Sequence, residues 1–263
     1  MDNPPQIRFD DGVAYEEFMG KWSRVAGDAF LRWLDPARGW RWLDVGCGNG
    51  AFTEMLVERC APVAVNGIDP SANQIAYARQ RLATTSVRFD VGDAMALPYA
   101  DAGFDAAVMA LVIFFVPDPA KSVAEMARVV RPGGSVSTYA WDILGGGFPY
   151  HMLQEEMSKL ATTPLWPPSV EASRMETLRS LWAGAGLTRI ETHEISVERT
   201  FADFDSFWGI AQTGPRLAAS IAAMPADDRR LLSDRLRARL RADAGGRITC
   251  GARANAIRGF APA

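Results

Sequence analysis

A short run at residues 43–52, LDVGCGNGAF, places an acid beside three alternating glycines. The acid is Asp44, and the glycines are Gly46, Gly48 and Gly50. Because glycine has no Cβ, such a loop can turn tightly and let the backbone approach a ligand closely. A helix that follows it would offer free N–H groups to a bound group. The acid attracts a positively charged ligand and would repel a pyrophosphate.

Two further acids follow the next two predicted strands and extend this chemistry. Asp69 ends the stretch PVAVNGID, and Asp93 follows SVRFDV. A carboxylate at the first position can accept both hydroxyls of a ribose. One at the second can accept from an adenine amino group, and Ala94 and Met95 offer an apolar slot for the ring. A ligand with a ribose, an adenine, a positive charge and no phosphate is S-adenosylmethionine.

Two other nucleotide-binding patterns do not match the glycine loop. A phosphate-binding loop would continue with Lys-Ser or Lys-Thr, which this chain lacks at that point. A dinucleotide-binding fold would show Gly-x-Gly-x-x-Gly directly after an apolar strand. Two alternatives stay open: a cofactor-binding protein of the same fold that transfers no methyl group, and an NAD-dependent oxidoreductase.

The order of the predicted elements indicates how these acids come together. Short apolar runs alternate with amphipathic segments, and the predicted strands are 40–45, 62–69, 86–94, 104–114 and 135–141. Ser71 and Asp118 are predicted to cap the helices that follow two of these strands. This alternation is typical of a doubly wound parallel sheet, in which ligands lie beyond the carboxyl ends of the strands. We therefore expect the acids to share one edge of the sheet.

Beyond residue 142 the alternation stops. The stretch at about 145–170 is rich in Gly, Pro and aromatic residues, and the stretch 201–243 has a helical pattern. We interpret both as insertions that form a small helical cap. Two late strands are predicted at 188–197 and 247–260. The predicted organisation is a helical lead segment at 1–39, followed by one domain at 40–263.

Four runs in the chain resemble the motifs of one known family. They are WLDVGCGNGAFTEML, GIDPSANQIAYAR, VGDAMALPYADAGFDAAV and VPDPAKSVAEMARVVRPGG. In this order and spacing they resemble the class I S-adenosylmethionine-dependent methyltransferases, and within them the ubiquinone and menaquinone C-methyltransferase branch (the methyltransferase type 11 domain). The resemblance is dense over residues 40–141. It implies an α/β, Rossmann-like fold with a doubly wound, seven-stranded, mostly parallel sheet and a small cap.

The resemblance also implies an activity and a set of cofactor contacts. The activity is transfer of a methyl group to an oxygen, carbon or nitrogen of a small, hydrophobic or aromatic molecule, with S-adenosylhomocysteine as the second product. The contacts fall on Asp44, Gly46, Cys47, Gly48, Asp69, Pro70, Asp93, Ala94, Ala110 and Leu111. The family's leading helix closes over the cofactor, which adds Tyr15 and Trp22.

Aromatic residues near the predicted edge and in the insertions are candidates either for an acceptor pocket or for packing of the cap. They are Phe115, Trp141, Phe148, Tyr150, Phe207 and Trp208. Many relatives carry a polar group after the fourth strand, whereas this chain has the apolar run ALVIFFVPDP. We therefore assign no general base to that loop, and the catalytic residue stays unknown. His151 and Asp142 are the weak candidates for a base.

Charge and composition exclude several other classes of protein. A net charge of −3 produces no field that would draw the chain to nucleic acid. No run of about 18 apolar residues could span a bilayer. The three cysteines are odd in number and far apart, so we predict neither a disulfide framework nor a metal site. These features lead us to expect a cytoplasmic protein whose partner is a small molecule.

Overall fold

A computed structural model of the protein describes residues 16–160 and 166–263. Within these ranges the chain forms a seven-stranded sheet. Its strands are β1 (Arg41–Val45), β2 (Ala64–Asp69), β3 (Val87–Val91), β4 (Phe104–Ala110), β5 (Val130–Trp141), β6 (Thr188–Phe201) and β7 (Ile248–Phe260).

The strands are arranged in the order β3-β2-β1-β4-β5-β7-β6. Strand β1 pairs in parallel with β2 and β4, β2 pairs in parallel with β3, and β4 with β5. Strand β7 runs antiparallel to β5. The predicted fold class, a doubly wound and mostly parallel seven-stranded sheet, is confirmed.

Helices connect the strands because parallel neighbours need a crossover rather than a tight turn. In the described ranges the α-helices are α1 (Lys21–Leu34), α2 (Ala51–Cys60), α3 (Ala72–Arg81), α4 (Pro119–Val129), α5 (His151–Lys159), α6 (Met175–Gly184), α7 (Phe204–Ala211), α8 (Pro215–Ala223) and α9 (Ala226–Arg239). A short π-helical segment, Glu16–Gly20, precedes α1.

Two of the crossover helices begin at the predicted capping residues. The Ser71 hydroxyl accepts a hydrogen bond from the Gln74 N–H at 3.4 Å, at the start of α3. The Asp118 carboxylate accepts one from the Lys121 N–H at 3.0 Å, at the start of α4. These bonds satisfy N–H groups that a helix leaves without an internal partner.

The predicted bounds of the fourth and fifth strands were wrong. Strand β4 ends at Ala110, because Leu111 has a positive φ of 60°, which is not the backbone of an extended strand. A 3-10 turn, Ile113–Phe115, follows. The apolar run continues past the strand because Ile113 and Phe114 of this turn are also buried, and hydrophobicity alone does not separate a strand from such a turn. Strand β5 begins at Val130 rather than at residue 135.

The core of the sheet lies around β1 and β4, whose side chains are almost all removed from water. Trp182 of α6 is fully buried, and its indole N–H donates to the Val136 carbonyl of β5 at 3.0 Å. Burying a large apolar side chain contributes roughly 1.5–3 kcal/mol, and the bond leaves the indole without an unpaired donor. This contact holds α6 on the sheet.

The chain divides into two compact units. The first, which we call the sheet unit, contains residues 24–147, 167–195 and 253–263. The second, the helical unit, contains the described residues among 1–23, 148–166 and 196–252. Both predicted insertions thus contribute their helices α5, α7, α8 and α9 to the helical unit.

The described residues contain neither a membrane-spanning helix nor a cluster of metal ligands. In 16–160 and 166–263, no helix is long and apolar enough to cross a membrane. In the same part of the chain, no group of three or more His, Cys, Asp or Glu side chains is arranged to hold a metal ion.

Candidate cofactor site

The glycine loop between β1 and α2 is anchored on the end of β2. The N–H groups of Gly46 and Cys47 both donate to the Ile68 carbonyl, at 2.7 and 3.1 Å. Gly46 and Gly48 have φ values of 74° and 52°, a region that side chains with a Cβ rarely adopt.

The two glycines differ in what surrounds them. A Cβ on Gly46 would lie 2.5 Å from a methyl group of Val112, whereas one on Gly48 would meet no described atom within 4 Å. Packing therefore requires glycine at position 46. Position 48 borders open space, where a ligand could approach the backbone.

Asp69, the last residue of β2, is tied to this loop. Its Oδ2 accepts the Gly48 N–H at 3.0 Å, and its Oδ1 accepts the Ser71 N–H at 2.9 Å. Partial burial raises the pKa of Asp69, and the two N–H groups oppose that rise. A carboxylate can accept about four hydrogen bonds, so capacity for two ligand hydroxyls remains.

Asp44 is the most unusual acid of the site, because its side chain is 0% exposed. The Thr53 hydroxyl donates to Oδ2 at 2.6 Å, while Oδ1 is buried and has no hydrogen-bond partner among the described residues. Burial raises the pKa of Asp44 to about 7. A buried acceptor without a donor is destabilising, so Oδ1 is suited to a cationic or N–H donor from a bound molecule.

Asp93 lies in the turn after β3 and is exposed. Its Oδ1 accepts the Met95 N–H at 2.8 Å, and its carbonyl accepts the Ala96 N–H at 3.1 Å. Ala94 is half-buried beside it, and Pro70 is exposed after β2. The turn holds Asp93 in place without burying it.

Two further predicted cofactor residues, Ala110 and Leu111, lie at the end of β4 and directly after it. Ala110 and Leu111 are half-buried, and Leu111 keeps a left-handed backbone that is rare for a residue with a branched side chain. Unusual backbone of this kind clusters at binding sites.

The structure thus brings the predicted cofactor residues of β1 to β4 to one edge. Strands β3, β2, β1 and β4 are consecutive neighbours and parallel, so their carboxyl ends coincide. All of these residues lie in the sheet unit. Their contacts with a cofactor stay predictions.

Part of the chain is similar to known methyltransferases. Residues 43–138 match the family model described as a methyltransferase domain. The methyltransferase GfsG of Streptomyces halstedii is 40% identical over 108 residues, which are 40% of this chain and 38% of that protein. A demethylmenaquinone methyltransferase of Deinococcus radiodurans is 42% identical over 96 residues, which are 36% of this chain and 40% of that protein.

A solved structure matches a larger part of the fold. Phosphoethanolamine N-methyltransferase 2 of Haemonchus contortus, in complex with S-adenosyl-L-methionine, has a TM-score of 0.58 and 20% sequence identity. The match covers 95% of this chain and 56% of that chain. At this identity the likeness concerns the fold alone.

Residues 43–138 form a class I methyltransferase domain. The cofactor of this class is S-adenosylmethionine, and the sheet edge fits it: Asp69 has acceptor capacity left, Gly48 borders open space, and the buried Oδ1 of Asp44 suits a cation. The chain spans between 38% and 52% of the length of the first curated relatives it matches.

Two of the predicted cofactor contacts, Tyr15 and Trp22, belong to the leading segment. Tyr15 lies outside the described residues. Trp22 is buried in the helical unit, 1% exposed. The roles of Tyr15 and Trp22 as cofactor contacts stay predictions.

The six aromatic candidates divide between the two units. Phe115 and Trp141 belong to the sheet unit, where Phe115 is exposed after β4 and Trp141 is buried at the end of β5. Phe148, Tyr150, Phe207 and Trp208 belong to the helical unit.

Within the helical unit, the four aromatic residues are not equivalent. Tyr150 stacks on Phe18 with ring centroids 4.4 Å apart, lies 5.9 Å from Phe207, and donates its hydroxyl to the Phe18 carbonyl at 2.9 Å. Tyr150 and Phe207 are almost fully buried and form the core of that unit. Phe148 and Trp208 are half-buried and keep ring surface accessible.

The two base candidates have partners. Asp142 accepts the Gly145 N–H at 3.1 Å on Oδ1 and the Arg253 guanidinium at 2.5 Å on Oδ2. This pairing raises the pKa of Arg253. His151 begins α5, is half-exposed, and has its Nε2 3.4 Å from a Glu155 carboxylate oxygen.

Three residues important to this geometry were not predicted from the sequence. They are Thr53, Val112 and Arg253, which contact Asp44, Gly46 and Asp142. Thr53 left one sequence signal, because it is a polar residue among the apolar positions Phe52, Met55 and Leu56 of α2. Val112 and Arg253 contact residues that are distant in the sequence, so no local sequence pattern identifies them.

Proposed function

We propose that the protein transfers a methyl group from S-adenosylmethionine to an oxygen, carbon or nitrogen atom of a small, hydrophobic or aromatic molecule. The observation that carries this proposal is the buried Asp44 carboxylate, whose Oδ1 lacks a partner in the described part of the chain. A negative charge without a counterion is suited to the cationic end of this cofactor, and it is unsuited to a pyrophosphate.

The sheet edge supplies a role for each acid. Asp69 would accept the two ribose hydroxyls while it keeps its bonds to the loop backbone. Asp93 would accept from the adenine amino group, with Ala94 beside the ring. Asp44 would accept from the ammonium group of the amino-acid end. Bound at this edge, the cofactor supplies a methyl group on a positively charged sulfur.

The chain's own contribution to the reaction would be positioning and exclusion of water. Holding two reactants in line can supply about 7–11 kcal/mol of the barrier. Each unit has aromatic candidates for contact with the acceptor that keep accessible ring surface: the exposed Phe115 in the sheet unit, and the half-buried Phe148 and Trp208 in the helical unit. Trp141, Tyr150 and Phe207 are the other acceptor candidates, and their burial supports a packing role.

Two of the polar groups, Tyr150 and Asp142, are unsuited to act as a free base. Burial raises the pKa of Tyr150 to about 12, and Asp142 is held in an ion pair. His151 carries the remaining candidacy for a base. An acceptor that loses its proton readily, such as a phenol or an enolisable carbon, needs no strong base. We therefore propose an acceptor of that kind.

The test is incubation of the protein with methyl-labelled S-adenosylmethionine and a cell metabolite extract, followed by mass spectrometry of labelled products. We expect label in a small hydrophobic product and formation of S-adenosylhomocysteine. Demethylmenaquinone, which appears in the names of several relatives, belongs in the panel of pure acceptors.

Two other results would contradict the proposal. Binding of S-adenosylhomocysteine without any labelled product across the extract and the panel would favour a binding protein that transfers no methyl group. Binding of NAD in place of S-adenosylhomocysteine would favour an oxidoreductase.

A further inference from the structure

The Thr53–Asp44 pair is a buried polar contact within the sheet unit. Both side chains are 0% exposed. Thr53 is the third residue of α2, and its hydroxyl donates to Asp44 Oδ2 at 2.6 Å. A buried threonine hydroxyl could instead bond a carbonyl of its own helix. Here the hydroxyl donates instead to Asp44 of β1, the strand that precedes the glycine loop.

The other charged and titratable groups around Asp44 do not replace this contact. Asp69 of β2 raises the Asp44 pKa by repulsion, and the neighbouring Cys47 thiol has its own pKa raised by burial and by Asp44. Within the described ranges, Asp44 makes no ion pair with Lys, Arg or His. Thr53 is therefore the described side chain that favours the ionised form of Asp44.

The bond also fixes which carboxylate oxygen is available. Because Oδ2 is held by Thr53, Oδ1 is the oxygen left to accept from a bound molecule. The Thr53 hydroxyl therefore has two effects: it restricts the rotation of the carboxyl group, and it favours the charged form of that group against the effect of burial.

We infer that Thr53 is a positioning residue of the cofactor site, which presents Asp44 Oδ1 to the ammonium group at the amino-acid end of the cofactor. This inference rests on the proposed function. It assigns recognition of that ammonium to a pair of residues rather than to the acid alone.

The test compares two ligands that differ in the amino-acid end. S-adenosylhomocysteine carries the ammonium group, and 5′-methylthioadenosine has the same adenosine and thioether without it. Both are titrated calorimetrically into the wild type, Thr53→Val and Thr53→Ser between pH 6 and pH 9. Valine keeps the shape and removes the donor, whereas serine keeps the donor.

We expect Thr53→Val to bind S-adenosylhomocysteine about tenfold more weakly, as expected for the loss of a hydrogen bond to a charged group. The pH at which its affinity is half-maximal should move upward, because Asp44 then ionises less readily. Binding of 5′-methylthioadenosine should stay unchanged, and Thr53→Ser should resemble the wild type.

Several results would overturn the inference. Unchanged affinity and pH midpoint in Thr53→Val would show that the hydroxyl has no positioning role. Equal losses for both ligands would show that it serves only the structure of the loop. A wild type that binds neither ligand would instead overturn the proposed function itself.

A second variant decides the question if Thr53→Val does not fold. Asp44→Asn keeps an oxygen for the Thr53 hydroxyl but removes the charge. It should lose affinity for S-adenosylhomocysteine alone and abolish the pH dependence of binding near 7. Retention of that pH dependence in Asp44→Asn would overturn the inference.

Discussion

At the scale of single residues, the three acids of the edge differ because their surroundings differ. Asp44 is fully buried with one hydroxyl donor, Asp69 is half-buried with two backbone donors, and Asp93 is exposed in a turn. Burial raises the pKa of Asp44 to about 7, so this group changes charge within the physiological range. The same residue type thus provides a switchable charge, a fixed acceptor and a solvent-facing acceptor.

The raised pKa of Asp44 predicts how stability depends on pH. The folded protein retains the Asp44 proton up to about pH 7, whereas the unfolded chain releases it near the ordinary aspartate pKa of 3.8. The folded state therefore binds more protons between these values, and its free energy of unfolding falls as pH rises through this window. The contribution is about 4 kcal/mol at full extent.

Denaturant titration of the wild type and Asp44→Asn between pH 4 and pH 8 checks this prediction. We expect the stability advantage of the wild type over the variant to decrease with rising pH. Asp105→Asn is the control, because burial raises the Asp105 pKa but bonds from Arg41 and Arg131 outweigh it, which gives the opposite sign. A constant difference between wild type and Asp44→Asn would contradict the burial argument.

Sequence reasoning at this scale found the acids because each follows a strand that could be located. Asp44, Asp69 and Asp93 need only the positions of β1, β2 and β3 for their placement. Thr53, Val112 and Arg253 could not be placed in this way, since each matters through a partner brought close by tertiary folding.

At the scale of elements, the glycine loop joins β1 to α2, and glycine is required at two of its positions for different reasons. Gly46 has a left-handed backbone and no room for a Cβ beside Val112. Gly48 has the left-handed backbone but enough room for a Cβ. Gly46→Ala should therefore destabilise the protein more than Gly48→Ala. The strain of a left-handed alanine costs roughly 1–2 kcal/mol in both, and the clash is added only at position 46.

Thermal and denaturant unfolding of the two variants measure this difference. Val112→Ala in the Gly46→Ala background should recover part of the lost stability, because it removes the clashing methyl groups. For ligand binding the order should reverse: Gly48→Ala should lose more affinity for S-adenosylhomocysteine per unit of lost stability. Equal destabilisation by both alanines would contradict the packing account.

The elements themselves were largely predictable. Seven strands and the caps at Ser71 and Asp118 follow from periodicity and cap chemistry. The end of β4 did not follow, because the switch of Leu111 to positive φ has no signature in an apolar run. Hydrophobic side chains continue through the turn for reasons of burial, not of strand geometry.

At the scale of the whole molecule, the candidate residues divide between the two units. The sheet unit contains the described cofactor candidates other than Trp22. The helical unit contains Phe148, Tyr150, Phe207 and Trp208. The insertions were predicted from composition, but their grouping with residues 16–23 was not, since that grouping depends on contacts such as the bond from Tyr150 to Phe18.

An internal charge network holds helices α5 and α9 together in the helical unit. Glu156 is 3% exposed, and its Oε1 accepts Lys159 Nζ and Arg239 Nη1, both at 2.7 Å. Hydrogen bonds to a charged group contribute about 1.5–3 kcal/mol, so Glu156→Gln should lower the free energy of unfolding by roughly that amount.

Hydrogen exchange measured with urea unfolding checks this prediction. We expect faster exchange in α5 and α9 and unchanged exchange in α3. One hydrogen bond from Lys159 and one from Arg239 lower the Glu156 pKa, so the difference between wild type and variant should shrink as acid protonates the carboxyl group. Glu171→Gln, which removes an exposed pair with Arg174, is the control and should change stability by less than about 1 kcal/mol. An equal effect of both variants would contradict the burial argument.

The central claim is that the carboxyl edge of β1, β2 and β3 binds S-adenosylmethionine. The most direct measurement is a crystal structure of the protein soaked with S-adenosylhomocysteine. We predict ribose hydroxyls on Asp69, the adenine beside Asp93 and Ala94, and the ammonium group on Asp44. Density for the ligand at another surface, or an adenosine in which Asp69 and Asp44 make no contact, would contradict the account.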